Sequence, residues 1–589
     1  MEQFMSKNIT SFIVVLILLS LILITCDSGV KYRQITVNEY LDKMKAGWIG
    51  QMAGVGWGGP TEFKWQNKII PKDQMPEWQN QMINQFNQDD IYVEMTFLRT
   101  LEQYGLDVSI RQAGIDFANS RYMLWHANDA GRENLRSGIA PPFSGHPQYN
   151  SHADDIDYQI EADYAGLIAP GMPQFAVELG EKFGRLMNYG DGLYGGQFVA
   201  GMYAEAFFNS NIEEIVLAGL ECIPAQSQYY ECITAVINWY KTNPDNWIKT
   251  WELINQKYHL NPAYRKFSCS GATSDFNIDA KLNGAYIVMG LLYGKGNPDS
   301  TIIISTRCGQ DSDCNPSNAA GILFTTLGMS KIPEKFKSNI DNETKFSYTE
   351  YNFPLLVEVC EKLTRSAVLR TGGKIETNSS DEEVFFIPEI KPTPGKPEQS
   401  WQPAPITEAV QLTPEEIAQI KIRRRPAEDF IHVWQVSGPY SKEQLPDSAL
   451  FDIPFPPEKG DKKTANWQKM PMGENGFSQH LIQLDKLFSQ QNCVAYLRTN
   501  IWSPDAREGI LELGSDDGIK VWLNGELVHQ NNVKRGLNPG EDIIKIQLKQ
   551  GWNSCLMKIT QMTGGWGATA VLLDSAGNTM KDVKFEAKE

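Results

Sequence analysis

Two pairs of aspartates stand where helices are expected to begin: Asp89-Asp90, and Asp311-Ser312-Asp313 just ahead of Asn315-Pro316, which reads as an N-cap asparagine followed by an N1 proline. A helix N-terminus favours negative charge, so either pair alone is explained by dipole compensation of a few tenths to about 1 kcal/mol per charge. Brought together, four carboxylates with no basic partner beside them repel one another unless a hard divalent cation neutralises them. All-oxygen ligation points to Mg2+, with Mn2+ or Ca2+ as alternatives, rather than to zinc. The expected ligands are therefore Asp89, Asp90, Asp311 and Asp313, around one or two ions, with Asp90 also a candidate for the chemical step. The chain carries no HExxH, Walker A, GxSxG or strand-linked Rossmann glycine pattern, and its seven histidines are scattered.

A second acidic stretch runs from Ala153 to Asp163 and contains Asp154, Asp155 and Asp157. Such a run opposes a diphosphate unless cations intervene, but it can offer carboxylates to sugar hydroxyls or take part in proton transfer. Asp191 lies in the Gly/aromatic cluster Asn188-Tyr189-Gly190-Asp191-Gly192-Leu193-Tyr194-Gly195-Gly196, where a turn with an N-terminal charge is the plainer reading and a sugar-site acid the functional one. Asp155 and Asp191 are expected to join in catalysis, and Asp154 and Asp157 to bind substrate. Trp57, Trp65, Tyr158 and Tyr189 are candidate stacking platforms for a sugar ring, although single aromatics are more often core.

Three segments together resemble the ADP-ribosylglycohydrolase family. Gly309-Gln310-Asp311-Ser312-Asp313-Cys314-Asn315, followed by Ala319-Ala320, is similar to the family's late acidic motif; Gln88-Asp89-Asp90, with Met95 after it, to its early Thr-Asp-Asp-Thr signature; and Gly54 to Phe63 to its N-terminal glycine-rich segment. Order and spacing match over roughly residues 36–330. The resemblance implies an all-helical fold, a dinuclear magnesium site and an active-centre role for Glu62 as acid or base. The chain departs from the pattern at Val55, Gln88, Ile91 and Cys314, the last standing where the family has a ligating threonine, which puts the second metal in doubt. Its acidic run replaces the family's ADP-ribose cradle. The reading that follows is metal-dependent hydrolysis of a furanosyl glycosidic bond in a glycan or glycoconjugate, for example an arabinofuranoside. Release of ADP-ribose, and a glycan-binding surface lipoprotein without catalysis, are the alternatives.

These residues need a scaffold, and 589 residues exceed one core, since domains run to about 100–200 residues. Phe12 to Ile24 is an apolar run shorter than the roughly 17–25 residues of a membrane span, and it ends in Leu23-Ile24-Thr25-Cys26. It reads as a signal peptide over 1–25 with Cys26 as the lipidation site, the alternative being an uncleaved anchor; residues 26–35 read as a tether. A bacterial cell-envelope location follows, lipid-anchored in the membrane on the periplasmic side or at the cell surface.

Helical periodicity starts at Thr36, with Glu39 at capping-box spacing and Val37, Tyr40, Leu41, Met44, Trp48 and Met52 on one face. It recurs to about residue 368, so 36–368 is expected to be one all-α domain. Residues 369–429 are rich in Pro, Glu, Lys and Ser and read as a linker. From 430 to 589, short β-rich runs and an Asn524-Gly525 hairpin signal predict a jelly-roll-like β-sandwich, which looks like the modules appended to secreted carbohydrate-active enzymes. Nine cysteines form no tight framework, although Cys222 and Cys232 could pair. A formal charge of −17 excludes a nucleic-acid partner, which needs a basic face.

Overall fold

The structure is a computed structural model that describes residues 31–589, except 408, 423, 424, 443, 444, 446, 461–463, 563, 576 and 589. Cys26 and the signal segment lie outside the described residues. The chain divides into two compact units: residues through Val108 with His152–Ala404, and Ser109–Ser151 with Pro405–Glu589.

The first unit is helical. Five of its helices position the site: α1 (Val37–Gly58), α2 (Asp89–Tyr104), α3 (Asp191–Ala206), α4 (Ala280–Gly294) and α5 (Cys314–Leu327). Helix α1 begins where the Thr36 hydroxyl accepts the Glu39 amide at 3.1 Å, the cap its spacing predicts. Val37, Tyr40, Met44, Trp48 and Met52 are buried as the stripe requires, and from Ala46 onward α1 is buried on all sides. Glycine allows this. Gly50, Gly54 and Gly58 recur every four residues, and α5 lies so close that a Cβ on Gly54 would stand 2.2 Å from the Pro316 carbonyl oxygen. The same contact carries Ser312 against Gly58, so this packing places the late aspartates. Gly54→Ala is expected to lower stability by at least about 1–3 kcal/mol, as an overpacked core does, read as a lower urea midpoint at unchanged slope.

Within the described residues, 32–36 and parts of 374–400 are tied to structure. β1 (Tyr32–Thr36), β2 (Lys374–Thr377) and β3 (Glu383–Pro388) form an antiparallel sheet in the order β1-β3-β2, with Ile35 opposite Phe385. The apolar run Val384 to Ile387 inside the Pro-rich stretch is what pairs. Beyond it, residues 393–400 are strapped to the helical unit: Thr393 N–H donates to Gln174 at 2.7 Å, the Tyr194 hydroxyl to the Lys396 carbonyl at 3.1 Å, and Arg185 to Glu398 at 2.7 Å. A proline-rich chain cannot bond to itself and borrows partners from a neighbour. All eight described cysteines are free thiols, so Cys222 and Cys232 do not pair.

In the second unit two antiparallel sheets enclose one core. The larger has the order β10-β9-β12-β7-β4-β5 with β14 added to β7, and the smaller the order β11-β8-β13-β6. Here β4 is Gln435–Tyr440, β5 Trp467–Lys469, β6 Ile482–Gln483, β7 Cys493–Ser503, β8 Arg507–Ser515, β9 Ile519–Leu523, β10 Glu526–Asn531, β11 Asp542–Leu548, β12 Gly551–Gln561, β13 Gly567–Leu573 and β14 Lys584–Glu586. Strand β11 alternates buried and exposed residues along its whole length, the period-2 signature of a half-buried strand. Asn524 and Gly525 both adopt positive φ (53° and 83°) and turn β9 into β10 as predicted. The sandwich has more strands than an eight-stranded jelly roll.

Residues 109–151, read as part of the helical domain, belong to the sheet-bearing unit. Arg111 pairs with Glu416, the Leu412 amide donates to the Gly138 carbonyl at 2.7 Å, and the Ala140 amide to the Val410 carbonyl at 2.7 Å. Helical periodicity reports a buried face, not which unit buries it.

Candidate active site

The loop before α5 brings the early and late acids together. Gly309 has φ 79°, and a Cβ there would meet the Trp65 and Lys68 carbonyl oxygens at 2.5 Å, so this position accepts only glycine. Gln310 follows with φ 57°, in the left-handed region that a non-glycine residue enters at a cost. Its amide donates to the Trp65 carbonyl at 3.1 Å while its own carbonyl receives the Phe63 amide at 3.1 Å. That pair of bonds zips segment 61–65 to 309–313 and sets Glu62 beside the late aspartates. Helix α5 starts at Cys314 with Asp313 as its N-cap, two residues earlier than predicted. Pro316 is tolerated inside it because amides of the first turn have no intrahelical acceptor.

One carboxylate oxygen each from Glu62, Asp311 and Asp313 lie within 4.8 Å of one another, as do those of Asp90 and Asp313 with the Cys314 thiol. Gln88, the N-cap of α2, donates to Asp313 at 3.2 Å and receives the Asp89 amide at 3.0 Å, linking the two helix starts. Asp90 is buried, and neither of its carboxylate oxygens has an N–H or O–H donor among the described residues, the Cys314 thiol being its weak partner; Oδ1 of Asp311 has none either. Buried acceptors without donors, on an all-oxygen set, fit a hard divalent cation. Cys314 is a soft, weak donor for such an ion where a hydroxyl would serve better.

The electrostatics agree. Burial and then the Asp313 and Asp89 charges push Asp90 well above the usual carboxylate range. Burial, then Asp90 and Glu62, raise Asp311 to about 8 against a hydrogen bond from Asp313 that lowers it. Burial raises Asp89, and burial followed by Asp311 raises Asp313. Glu62, at the solvent-reaching rim, is lifted to about 8 by partial burial of its carboxyl and then by Asp313 and Asp89. In each case the folded state holds protons that the unfolded chain gives up near its ordinary values of 3.8 and 4.5. Stability therefore falls as pH rises from about 4 towards 8, where the folded state binds the extra protons. Thermal melts of chelated protein are expected to show that decline, and added Mg2+ to flatten it.

The second acidic group is built around a buried lysine. Lys281, in the first turn of α4, sits 3.6 Å from Asp191 and 3.5 Å from Asp279. Asp154 lies in the same field and accepts the Ser400 hydroxyl from the strap. Asp191 opens α3 and accepts the Tyr229 amide at 3.1 Å. The Asp155 carboxylate lies 2.6 Å from His152 Nδ1, and Asp155 pairs through its backbone with Asp279. Asp157 is buried at the start of the helix Asp157–Ile160. The two acidic groups are joined by a relay in which Asn315 donates to Asn283 at 2.9 Å and Asn283 to the Asp279 carbonyl at 3.1 Å.

Asp191 accepts the Tyr229 amide and stands 3.6 Å from Lys281, while Asp154 accepts the Ser400 hydroxyl. Trp57, 5% exposed, donates to the Pro76 carbonyl and packs on Trp78 and Phe336; Tyr158, 0% exposed, fills the space over Gly184 and Gly196. Both rings are core, and the glycines opposite Tyr158 leave the room that its ring fills. Tyr189 is covered by the strap, its hydroxyl receiving the Ala404 amide at 3.2 Å, while Trp65 stays partly exposed. Glu94, unremarked in the sequence, receives Gln51 at 2.5 Å and the Tyr164 amide at 2.7 Å one turn below Asp90, and its i+4 spacing was the available signal. Lys281 was signalled too, as a lone charge in an otherwise apolar helix.

Comparison with known proteins gives a family model described as ADP-ribosylglycohydrolase, matched over residues 36–370. Among solved structures, an ADP-ribosylglycohydrolase-related protein complex is 12% identical, covering 56% of this chain and 99% of its own, with a TM-score of 0.38. A beta-glucosidase from Kluyveromyces marxianus in complex with glucose is 15% identical over 24% of this chain and 15% of its own, with a TM-score of 0.16. No curated protein matches.

Proposed function

The chain belongs to the ADP-ribosylglycohydrolase family and is a hydrolase of glycosidic bonds; from this we propose that it cleaves a furanosyl bond in an extracytoplasmic glycan, an arabinofuranoside for example, with a hard divalent cation bound. The observation that carries the proposal is the convergence of Glu62, Asp90, Asp311 and Asp313 with buried oxygens lacking donors. Asp89, Asp90, Asp311 and Asp313 would hold the ion, Mg2+ first among hard cations. Bound there, such an ion would supply Lewis-acid stabilisation of charge developing on oxygen. Glu62 reaches solvent at the rim and is the residue suited to give a proton to the leaving oxygen or take one from water. Gln88 and Gln310 hold the aspartate-bearing backbones in register.

A glycan is favoured over ADP-ribose because Asp154, Asp191 and Asp279 gather around Lys281, with Asp155 and Asp157 by Cys269, so acids outnumber the one cation where a diphosphate would need cations. The test is product analysis of purified protein on pentofuranosides and on ADP-ribosylated proteins, with Mg2+ or with EDTA. Pentose release that needs Mg2+ is expected. Release of ADP-ribose instead would overturn the substrate, and saturable binding without turnover would point to a lectin-like role.

The location belongs to the same proposal: anchoring by lipid at Cys26 in a bacterial cell envelope. No helix among the described residues is long and apolar enough to cross a membrane. The parent protein is expected in the detergent phase of a cloud-point partition and Cys26→Ser in the aqueous phase.

A further inference from the structure

We propose that Cys269, His152 and Asp155 form a second cation site, distinct from the carboxylate cluster and selective for a zinc-class ion. One donor atom from each of the three lies within 4.8 Å of the others. Ligands of a tetrahedral zinc stand about 3.3–3.8 Å apart, given bonds of about 2.0–2.3 Å, so small side-chain rotations suffice. Sulfur, imidazole nitrogen and a single carboxylate form a donor set that suits zinc and suits Mg2+ poorly.

Both sides of the site are held before any ion arrives. The Asp155 amide donates to the His152 carbonyl at 2.9 Å, and the Asp155 carbonyl receives Asn188 Nδ2 at 2.9 Å. His152 Nδ1 meets the Asp155 carboxylate at 2.6 Å, an imidazole–carboxylate pair that an ion would open. Cys269 sits on an irregular loop folded around Arg265, whose guanidinium donates to the Ser274 carbonyl at 2.6 Å, the Ser270 hydroxyl at 2.9 Å and the Phe276 carbonyl at 2.9 Å. Ser268, next to Cys269, donates to Asp279 at 2.7 Å. The loop has no regular secondary structure, yet its backbone is fixed by one cation.

Charge favours an ion here. Asp155, Asp279 and Asp157 surround the thiol and, after burial itself, hold it well above the ordinary thiol range, so a bare thiolate is disfavoured. Lys281 is already drawn to Asp191 and Asp279. A divalent cation would offset the excess negative charge and stabilise the thiolate, with the thiol proton released to solvent.

Co2+ is the probe, titrated into the full chain with excess Mg2+ present. One equivalent is expected to raise a near-ultraviolet thiolate-to-cobalt band that Zn2+ then displaces. Cys269→Ala is expected to abolish the band, and His152→Ala to weaken Zn2+ binding by at least the roughly 10–100-fold that loss of a supporting partner alone costs. Cys314→Ala is the control, because that thiol lies beside Asp90 and Asp313. A band that survives Cys269→Ala, a band lost only in Cys314→Ala, or no thiolate band at all would overturn the proposal. Melts of each variant in EDTA separate loss of a ligand from loss of fold. Failure of this site would leave the glycosidase reading intact, since that is read by Mg2+-dependent product release.

Discussion

Asp313→Asn is expected to weaken Mg2+ binding by well over the roughly 10–100-fold that disturbing a supporting residue costs, and to abolish turnover with it. Asp313 is the shared member of both acidic triplets, lying with Glu62 and Asp311 on one side and with Asp90 and Cys314 on the other. It also receives Gln88, so it touches both helix starts. Without metal the sign of the stability effect reverses. Burial and the neighbouring Asp311 and Asp89 disfavour the Asp313 charge, so a neutral amide relieves repulsion and the chelated variant should melt higher than the chelated parent. With saturating Mg2+ the order inverts, because ligand binding to the folded state stabilises the parent and not the variant. Asp154→Asn is the comparison: that carboxylate already accepts Ser400 and sits in the field of Lys281, so its loss should leave Mg2+ affinity near the parent value. Calorimetric titration of both variants checks the order. Were Asp154→Asn to lose the ion while Asp313→Asn kept it, the metal would belong to the second acidic group.

The pattern of what was legible in the sequence follows the range of the interactions. Thr36 with Glu39 and Asn524-Gly525 act within a few residues, and the structure forms the Thr36 half of the capping box and the hairpin turn. The paired aspartates were legible because residue type and helix position restrict what four buried acids can do. Trp57 and Tyr158 are buried: an aromatic ring is equally apt for a sugar face and for a core, and for Tyr158 it is Gly184 and Gly196, distant in sequence, that make room for the ring. The same holds for residues 109–151, where helical periodicity is real but the burying partner lies some 300 residues away, at Val410–Glu416. The Pro-rich stretch was read from its average composition, which hid the short run Val384 to Ile387 that pairs with β1. His152 and Cys269 gave no signal, since no spacing rule connects two residues that a loop around Arg265 brings together.

Lys281→Met is expected to destabilise the protein by about 3–5 kcal/mol, the range for removing one partner of a buried ion pair, with little effect on Mg2+ affinity. Lys281 is 2% exposed, and the charges of Asp279, Asp191 and Asp154 hold its ammonium well above the ordinary lysine range. Methionine keeps the stem and removes the charge, so the cost isolates electrostatics from packing. Three acids are then left around an uncharged centre. Asp154 and Asp191 already lie above the usual carboxylate range through burial, with Lys281 opposing that rise, so its loss drives them further up. Their folded-state values then exceed the unfolded ones by more, the folded form binds extra protons, and the penalty shrinks as pH falls towards 4. Adding Asp191→Asn should recover part of the loss at neutral pH, because the amide oxygen can still accept the Tyr229 N–H while the orphaned charge is gone. Urea titrations in EDTA of the parent, both single variants and the double variant give the coupling. A coupling near zero would mean that Lys281 is held by packing and that the acids around it are neutralised by something other than its charge.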